Sequence, residues 1–158
     1  MSKRPRRTSP GDEINHGLLT ELIGYSLRRA QSAVFSHFLK SVGKQGVSPG
    51  QFGVLVLIKE NSGLSQSALA KALGIERSTM VAVIHRLEAH GWVERVVSKT
   101  DRRSYALVLT TEGDELLARV SPEVRNHERE IAAQLSEREK THLIEILEKI
   151  AAAAGSRD

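Results

Sequence analysis

Leu64-Ser65-Gln66-Ser67-Ala68-Leu69-Ala70-Lys71-Ala72-Leu73-Gly74-Ile75-Glu76-Arg77-Ser78-Thr79-Met80-Val81-Ala82-Val83-Ile84-His85-Arg86-Leu87-Glu88-Ala89-His90-Gly91 decides the fold of this 158-residue chain. Ser65 is a helix N-cap, since its hydroxyl can take one of the amide protons that a first turn leaves without a partner. Leu64 and Leu69 flank that cap as a hydrophobic staple, and Gly74 closes the helix after two turns. A second helix follows at once, with Ile75 and Met80 as a staple around Glu76 and a stop at His90-Gly91. A two-turn helix, a glycine turn and a longer helix make a helix-turn-helix by pattern. On the second helix Met80, Ile84 and Leu87 recur at core spacing, which turns Arg77, Ser78, Ala82, His85 and Arg86 outward, with Thr79 and Val81 on the flanks. Such a face suits a DNA major groove: arginine pairs bidentately with guanine, serine and threonine bond bases or phosphates, and Ala82 or Val81 can meet a thymine methyl.

Downstream, the period changes from helical to extended. Trp92-Val93-Glu94-Arg95-Val96-Val97 and Tyr105-Ala106-Leu107-Val108-Leu109 are β-branched or aromatic strands around a polar turn, Ser98 to Ser104. This predicts a hairpin whose tip gathers Lys99, Arg102 and Arg103, placed to reach the DNA backbone or minor groove beside the second helix. Asp101 is read as structural, a partner for a neighbouring arginine. Thr110 caps a further helix, which Pro122 is expected to kink or interrupt because proline lacks an amide proton. Ser136 and Glu139 form a capping box opening a last helix with Leu143, Ile146, Leu147 and Ile150 at regular spacing.

Upstream, the helical pattern begins at Ile14 and runs to Leu39, with Gly43 and Gly46 ending it. Its two adjoining apolar stripes imply burial on more than one side, either by a partner chain or as the central helix of a monomer. Ser48-Pro49-Gly50-Gln51 is a strong helix start, with serine as cap, proline in the first turn and Gln51 to complete a capping box. Lys3, Arg4, Arg6 and Arg7 sit in a leader without apolar periodicity, read as a basic arm over residues 1–13.

The charge distribution agrees with an anionic partner. Residues 1 to 110 hold 16 Lys and Arg against 8 Asp and Glu, a net of +8, whereas residues 111 to 158 hold 7 against 11, a net of −4. No cysteine is present, which excludes disulfides, thiolate metal sites and thiol-based redox sensing, and suits a reducing cytoplasm. No apolar run approaches the roughly 20 residues of a membrane span. None of the six histidines forms the i, i+4 pair of a helical metal site, so no metal or other cofactor is expected. Neither a nucleophile with its base nor a glycine loop followed by lysine and serine is found, so an enzyme is not expected.

Several blocks in order resemble the MarR family of winged-helix regulators: Leu64 to Ile75, Arg77-Ser78-Thr79, Arg86-Leu87-Glu88, Gly91-Trp92-Val93, Asp101-Arg102-Arg103, and Leu109-Thr110 followed by Gly113. The resemblance covers Ser48 to Leu117 well and the outer helices by length and layout. The wing departs from it, with Ser98-Lys99-Thr100 where many members carry a proline or further acids. The resemblance implies a mainly α fold with a small β-hairpin wing. A winged helix-turn-helix over residues 48–110 would stand between an N-terminal dimerisation helix within 14–47 and C-terminal dimerisation helices over 111–158. It further implies a homodimer on a pseudo-palindromic operator in double-stranded DNA, its two recognition helices entering major grooves roughly 34–36 Å apart. The DNA-contacting set is then Ser65, Gln66, Arg77, Ser78, Thr79, Ala82, His85, Arg86, Lys99, Arg102 and Arg103, with Arg103 inserted in the minor groove.

Family members release DNA when a small effector binds between the dimer helices and the winged domain. Tyr25, Arg28, Arg29, His37, Phe38 and Phe52 are the candidates to line that cavity, as aromatic and cationic groups suited to an aromatic carboxylate or its coenzyme A thioester. The alternative is a dimeric winged-helix interaction module without sequence-specific DNA binding.

Overall fold

A computed structural model describes residues 14–61, 63–97 and 105–155. Six α-helices and one antiparallel hairpin follow in the order α1 (Ile23–Ser41), α2 (Pro49–Glu60), α3 (Gln66–Ala72), α4 (Arg77–Ala89), β1 (Val93–Val97), β2 (Tyr105–Leu109), α5 (Thr111–Ile131) and α6 (Glu137–Gly155). The basic arm and the hairpin tip with Lys99, Arg102 and Arg103 lie outside the described residues.

The chain divides into two units, the first ending at Val34 and the second starting at Phe35. In the first, the helix expected from Ile14 begins only at Ile23, because Gly17 takes a left-handed conformation (φ +50°) and opens a separate 3-10 turn, Gly17–Glu21, before an extended Leu22. Asn15 Oδ1 accepts from the Gly17 amide at 2.8 Å and fixes that turn. Ile23, at 65% exposure, finds no cover here.

In the second unit the local signals act as their chemistry dictates. Ser48 and Gln51 exchange both bonds of a capping box at the start of α2. Ser65 Oγ accepts from the Ala68 amide and starts α3, and Thr110 Oγ1 accepts from the Gly113 amide and starts α5. Gly74 (φ +60°) and Gly91 (φ +71°) end α3 and α4 as Schellman turns, the Ile75 amide bonding the Ala70 carbonyl and the Trp92 amide the Leu87 carbonyl. Pro122 does not interrupt α5, which runs unbroken from Thr111 to Ile131. The carbonyl at Ala118 necessarily loses its amide partner, but the Ser121 hydroxyl donates to the adjacent Leu117 carbonyl at 2.6 Å, and Leu116, Leu117 and Val120 anchor the preceding turns in the core.

That core collects Leu55 and Ile58 from α2, Leu69 from α3, Met80, Ile84 and Leu87 from α4, Val93 and Leu107 from the hairpin and Val120 from α5. The strands pair from Val93 opposite Leu109 to Val97 opposite Tyr105. The Leu107 amide also donates to the Leu64 carbonyl, tying the hairpin to the start of α3. By contrast α6, opened by the Ser136–Glu139 capping box, has no buried residue, and its Leu143, Ile144, Ile146 and Leu147 are 38–58% exposed. Among the described residues no helix is long and apolar enough to cross a membrane.

Candidate nucleic-acid interface

Two ends of α4 are fixed before any of its outer side chains is placed. At its start the Gly74 turn sets it against α3; at its finish Gly91 returns the chain into β1. Met80, Ile84 and Leu87 are each fully buried, which locks the rotation of the helix about its axis. Arg77, Ser78, Thr79, Val81, Ala82, His85 and Arg86 are consequently all exposed, as the spacing predicted. The face combines two guanidinium groups, two hydroxyls, an imidazole and two small apolar side chains, the mixture a major groove can read.

Ser65 and Gln66 are half-buried at the start of α3, and the Ser65 hydroxyl is engaged as the N-cap. The turn between α3 and α4 borders a shallow recess of about 540 Å³ that includes Ser67, Lys71 and Arg77. Lys71, exposed on α3, adds a cation to this side of the molecule that sequence reasoning did not single out.

The hairpin is held relative to α4 by three contacts. Arg95 Nε donates to Glu88 Oε1 at 2.9 Å, His90 stacks on Trp92 with ring centroids 4.3 Å apart, and the Trp92 amide donates to the Leu87 carbonyl at 3.0 Å. Arg95 therefore acts on the hairpin's orientation, whereas the tip cations Lys99, Arg102 and Arg103 lie beyond the described residues.

The proposed effector residues are divided between the two units. In the first, the Tyr25 hydroxyl and His16 Nδ1 are 2.8 Å apart, and the Arg29 guanidinium sits 5.7 Å from the Tyr25 ring centre; Arg28 is exposed. In the second, Phe38 is only 4% exposed and belongs to the core, while His37 is half-buried against α5. Phe52 instead lines a cleft of about 640 Å³ between α2 and α5, with Val56, Leu117 and Val124 as apolar walls and Lys59, Arg125 and the carboxylate of Glu60 as charged groups. Lys59 also pairs with Asp114 at 2.9 Å. Neither Lys59 nor Arg125 could be picked from the sequence, because they are 66 positions apart and only the packing of α5 on α2 joins them. Among the described residues no group of three or more histidines and carboxylates could hold a metal ion.

A family model described as the MarR family matches residues 45–104. A protein assigned to regulation of the hcr operon in Thauera aromatica is 40% identical over 139 residues, covering 87% of this chain and 84% of the relative. The chain belongs to the MarR family.

Solved MarR-type structures agree in fold. The repressor CouR bound to a 23-mer DNA duplex superposes with a TM-score of 0.81 at 40% identity, covering 89% of this chain and 99% of CouR. CouR bound to p-coumaroyl-CoA gives 0.81 at 37% identity, covering 88% and 98%. In MarR terms, α3 and α4 are the helix-turn-helix, β1 and β2 the wing, and α1, α5 and α6 the flanking helices.

Proposed function

We propose that this protein is a homodimeric repressor that occupies a pseudo-palindromic operator and is released by a small aromatic acid or its coenzyme A thioester. The observation that carries the reading is the rotation of α4: three buried apolar side chains hold seven polar or small ones outward. Arg77, Ser78, Thr79, Ala82, His85 and Arg86 read base edges and nearby phosphates, with Ser65 and Gln66 at the start of α3 and Lys99, Arg102 and Arg103 on the wing. Phosphate contacts hold the register and base contacts choose the site.

A second chain accounts for the apolar surface. Ile23 on α1 and the Leu143–Leu147 face of α6 are too extensive to leave in water, and each belongs to a flanking helix. Support for the effector class comes from CouR, which has been seen with p-coumaroyl-CoA, and from the cleft lined by Phe52, Lys59, Glu60 and Arg125, whose apolar walls fit an aromatic ring and whose Arg125 can meet an anion. Arg28, Arg29, Tyr25 and His37 are the further candidates to hold it. Release then follows from linkage: the effector binds more tightly to a dimer whose two recognition helices are wrongly spaced, and DNA must weaken effector binding by the same factor.

Arg86→Ala and Arg103→Ala test the DNA reading. Each should lower operator affinity by about 1–3 kcal/mol, roughly 10- to 150-fold, with the dimer intact. If both leave affinity and sequence preference unchanged, the interaction-module alternative replaces it. Arg125→Ala should blunt effector-induced release without altering affinity for DNA in the absence of effector.

A further inference from the structure

His37 and His127 are 90 positions apart in the chain, yet their Nδ1 atoms lie 2.7 Å from each other where the last turns of α1 rest on α5. Their rings tilt by 33° with centroids 4.9 Å apart, and the Phe38 ring meets His127 edge-on. His127 is 1% exposed, the one buried polar or charged residue among those described. Among the described residues, the titratable groups in contact with the pair both come from α5: Glu130 Oε2 is 3.3 Å from His37 Nε2, and Glu128 Oε1 is 3.8 Å from His127 Nε2. From α1 comes the Ser41 hydroxyl, 3.3 Å from His37 Nδ1.

Two ring nitrogens at this separation hold one proton between them, one donating and the other accepting. With Glu130 accepting at Nε2 of His37, the neutral pair has His127 donating through Nδ1 to His37 Nδ1. One added proton is accommodated. His37 becomes an imidazolium that donates to Glu130 and to His127, and His127 shifts its own proton to Nε2, toward Glu128. A second added proton is not accommodated: both Nδ1 atoms then carry hydrogens pointed at each other, on two cations in contact, one of them sealed from water.

We propose that this pair is a proton-operated joint, which parts the end of α1 from α5 when both rings are charged and so lowers affinity for the operator. The effect on DNA rests on the operator-binding reading above. The route is short, since α5 also begins at the wing, where the Gly113 backbone lies against the Trp92 carbonyl.

Operator affinity of the full chain is measured by fluorescence anisotropy from about pH 8 to about pH 5, the span in which histidine changes charge, at constant ionic strength. Affinity should fall on acidification within this span, by up to about tenfold per pH unit for each proton taken up. His37→Asn, a change at a half-exposed position, cannot form the second cation and should remove this fall; His127→Asn should do the same if it folds. Protonation of His85 on the DNA-facing side of α4 has the opposite sign, adding a cation toward DNA. Wild-type affinity that is constant or rises on acidification, or an equal fall in His37→Asn, overturns the proposal. Side-chain nitrogen NMR of the DNA-free protein separates this from failure of the functional reading. Two coupled titration steps for His37 and His127 support the joint even if no operator is bound, and two independent ordinary titrations overturn it.

Discussion

Replacing Gly113 with alanine should separate the wing from α5. A Cβ built at this position falls 2.0 Å from the Trp92 carbonyl oxygen and 2.9 Å from its carbon, against an ordinary contact of 3.4 Å or more. The obstacle is backbone, and that backbone is anchored: the Trp92 carbonyl accepts from the Thr110 amide at 3.1 Å, and the Thr110 side chain both donates to the Gly91 carbonyl and caps α5. Relief requires either the hairpin or the first turn of α5 to move by more than 1 Å, with overpacking costing about 1–3 kcal/mol. Each anchoring hydrogen bond lost costs about 1 kcal/mol more. The gain in helix propensity from glycine to alanine returns about 1 kcal/mol. The net is a destabilisation of about 2–4 kcal/mol, a fall in Tm on the order of 10 °C for a chain of this length. Gly50→Ala is the matched control, because Gly50 lies in the first turn of α2 with nothing within 4 Å of its added Cβ. It should leave Tm unchanged or raise it slightly. Thermal denaturation followed by circular dichroism decides the matter. A Gly113→Ala protein as stable as wild type would refute the close approach on which the wing's placement depends.

Leu147→Asp places a charge on the apolar face of α6 and should weaken dimerisation by about 3–5 kcal/mol, roughly 150-fold to several thousandfold, read by analytical ultracentrifugation. Operator binding should fall with it; a stable dimer would remove α6 from the interface. Glu139, held below the ordinary carboxylate range by accepting from the Ser136 hydroxyl and then from the Ser136 amide, should titrate nearer the ordinary value in Ser136→Ala, as carboxyl NMR would record. Because its folded value is depressed, its contribution to the start of α6 is present above the ordinary carboxylate pKa and is lost as pH falls through the lowered one. Protection of the amides in that first turn, measured relative to their intrinsic exchange rate at each pH, should therefore fall in acid, and unchanged protection would count against the cap. Each wing or α3 lysine that touches phosphate, Lys99 or Lys71, should on replacement by alanine reduce the slope of log affinity against log salt by about 1.

What was legible in the sequence is what is local. Ser48, Ser65, Thr110 and Ser136 announce helix starts because a cap acts within three residues, and Gly74 and Gly91 announce ends because their left-handed conformation excludes most other residues. The outward face of α4 followed from periodicity alone. Local rules failed where two of them compete or where the decisive partner is remote. Apolar spacing carried the first helix back to Ile14, but Gly17 and the Asn15 side chain favour a separate turn there. Pro122 reads as a break, yet Ser121 and the core contacts of the preceding turns keep α5 whole. Phe38 and Phe52 look alike in sequence, and only packing separates them, with Phe38 in the core and Phe52 beside the cleft. No spacing rule links His37 to His127, or Lys59 to Arg125, since each pair exists only once α5 has docked.

Operator recognition and its relief are tested most directly by one titration: the purified protein against the intergenic DNA beside its own gene, at several salt concentrations, with and without aromatic acids and their coenzyme A thioesters. The expected result is tight binding that distinguishes this DNA from a scrambled duplex and is relieved by one of those compounds. Binding that is weak, indifferent to sequence and lost steeply as salt rises would contradict it.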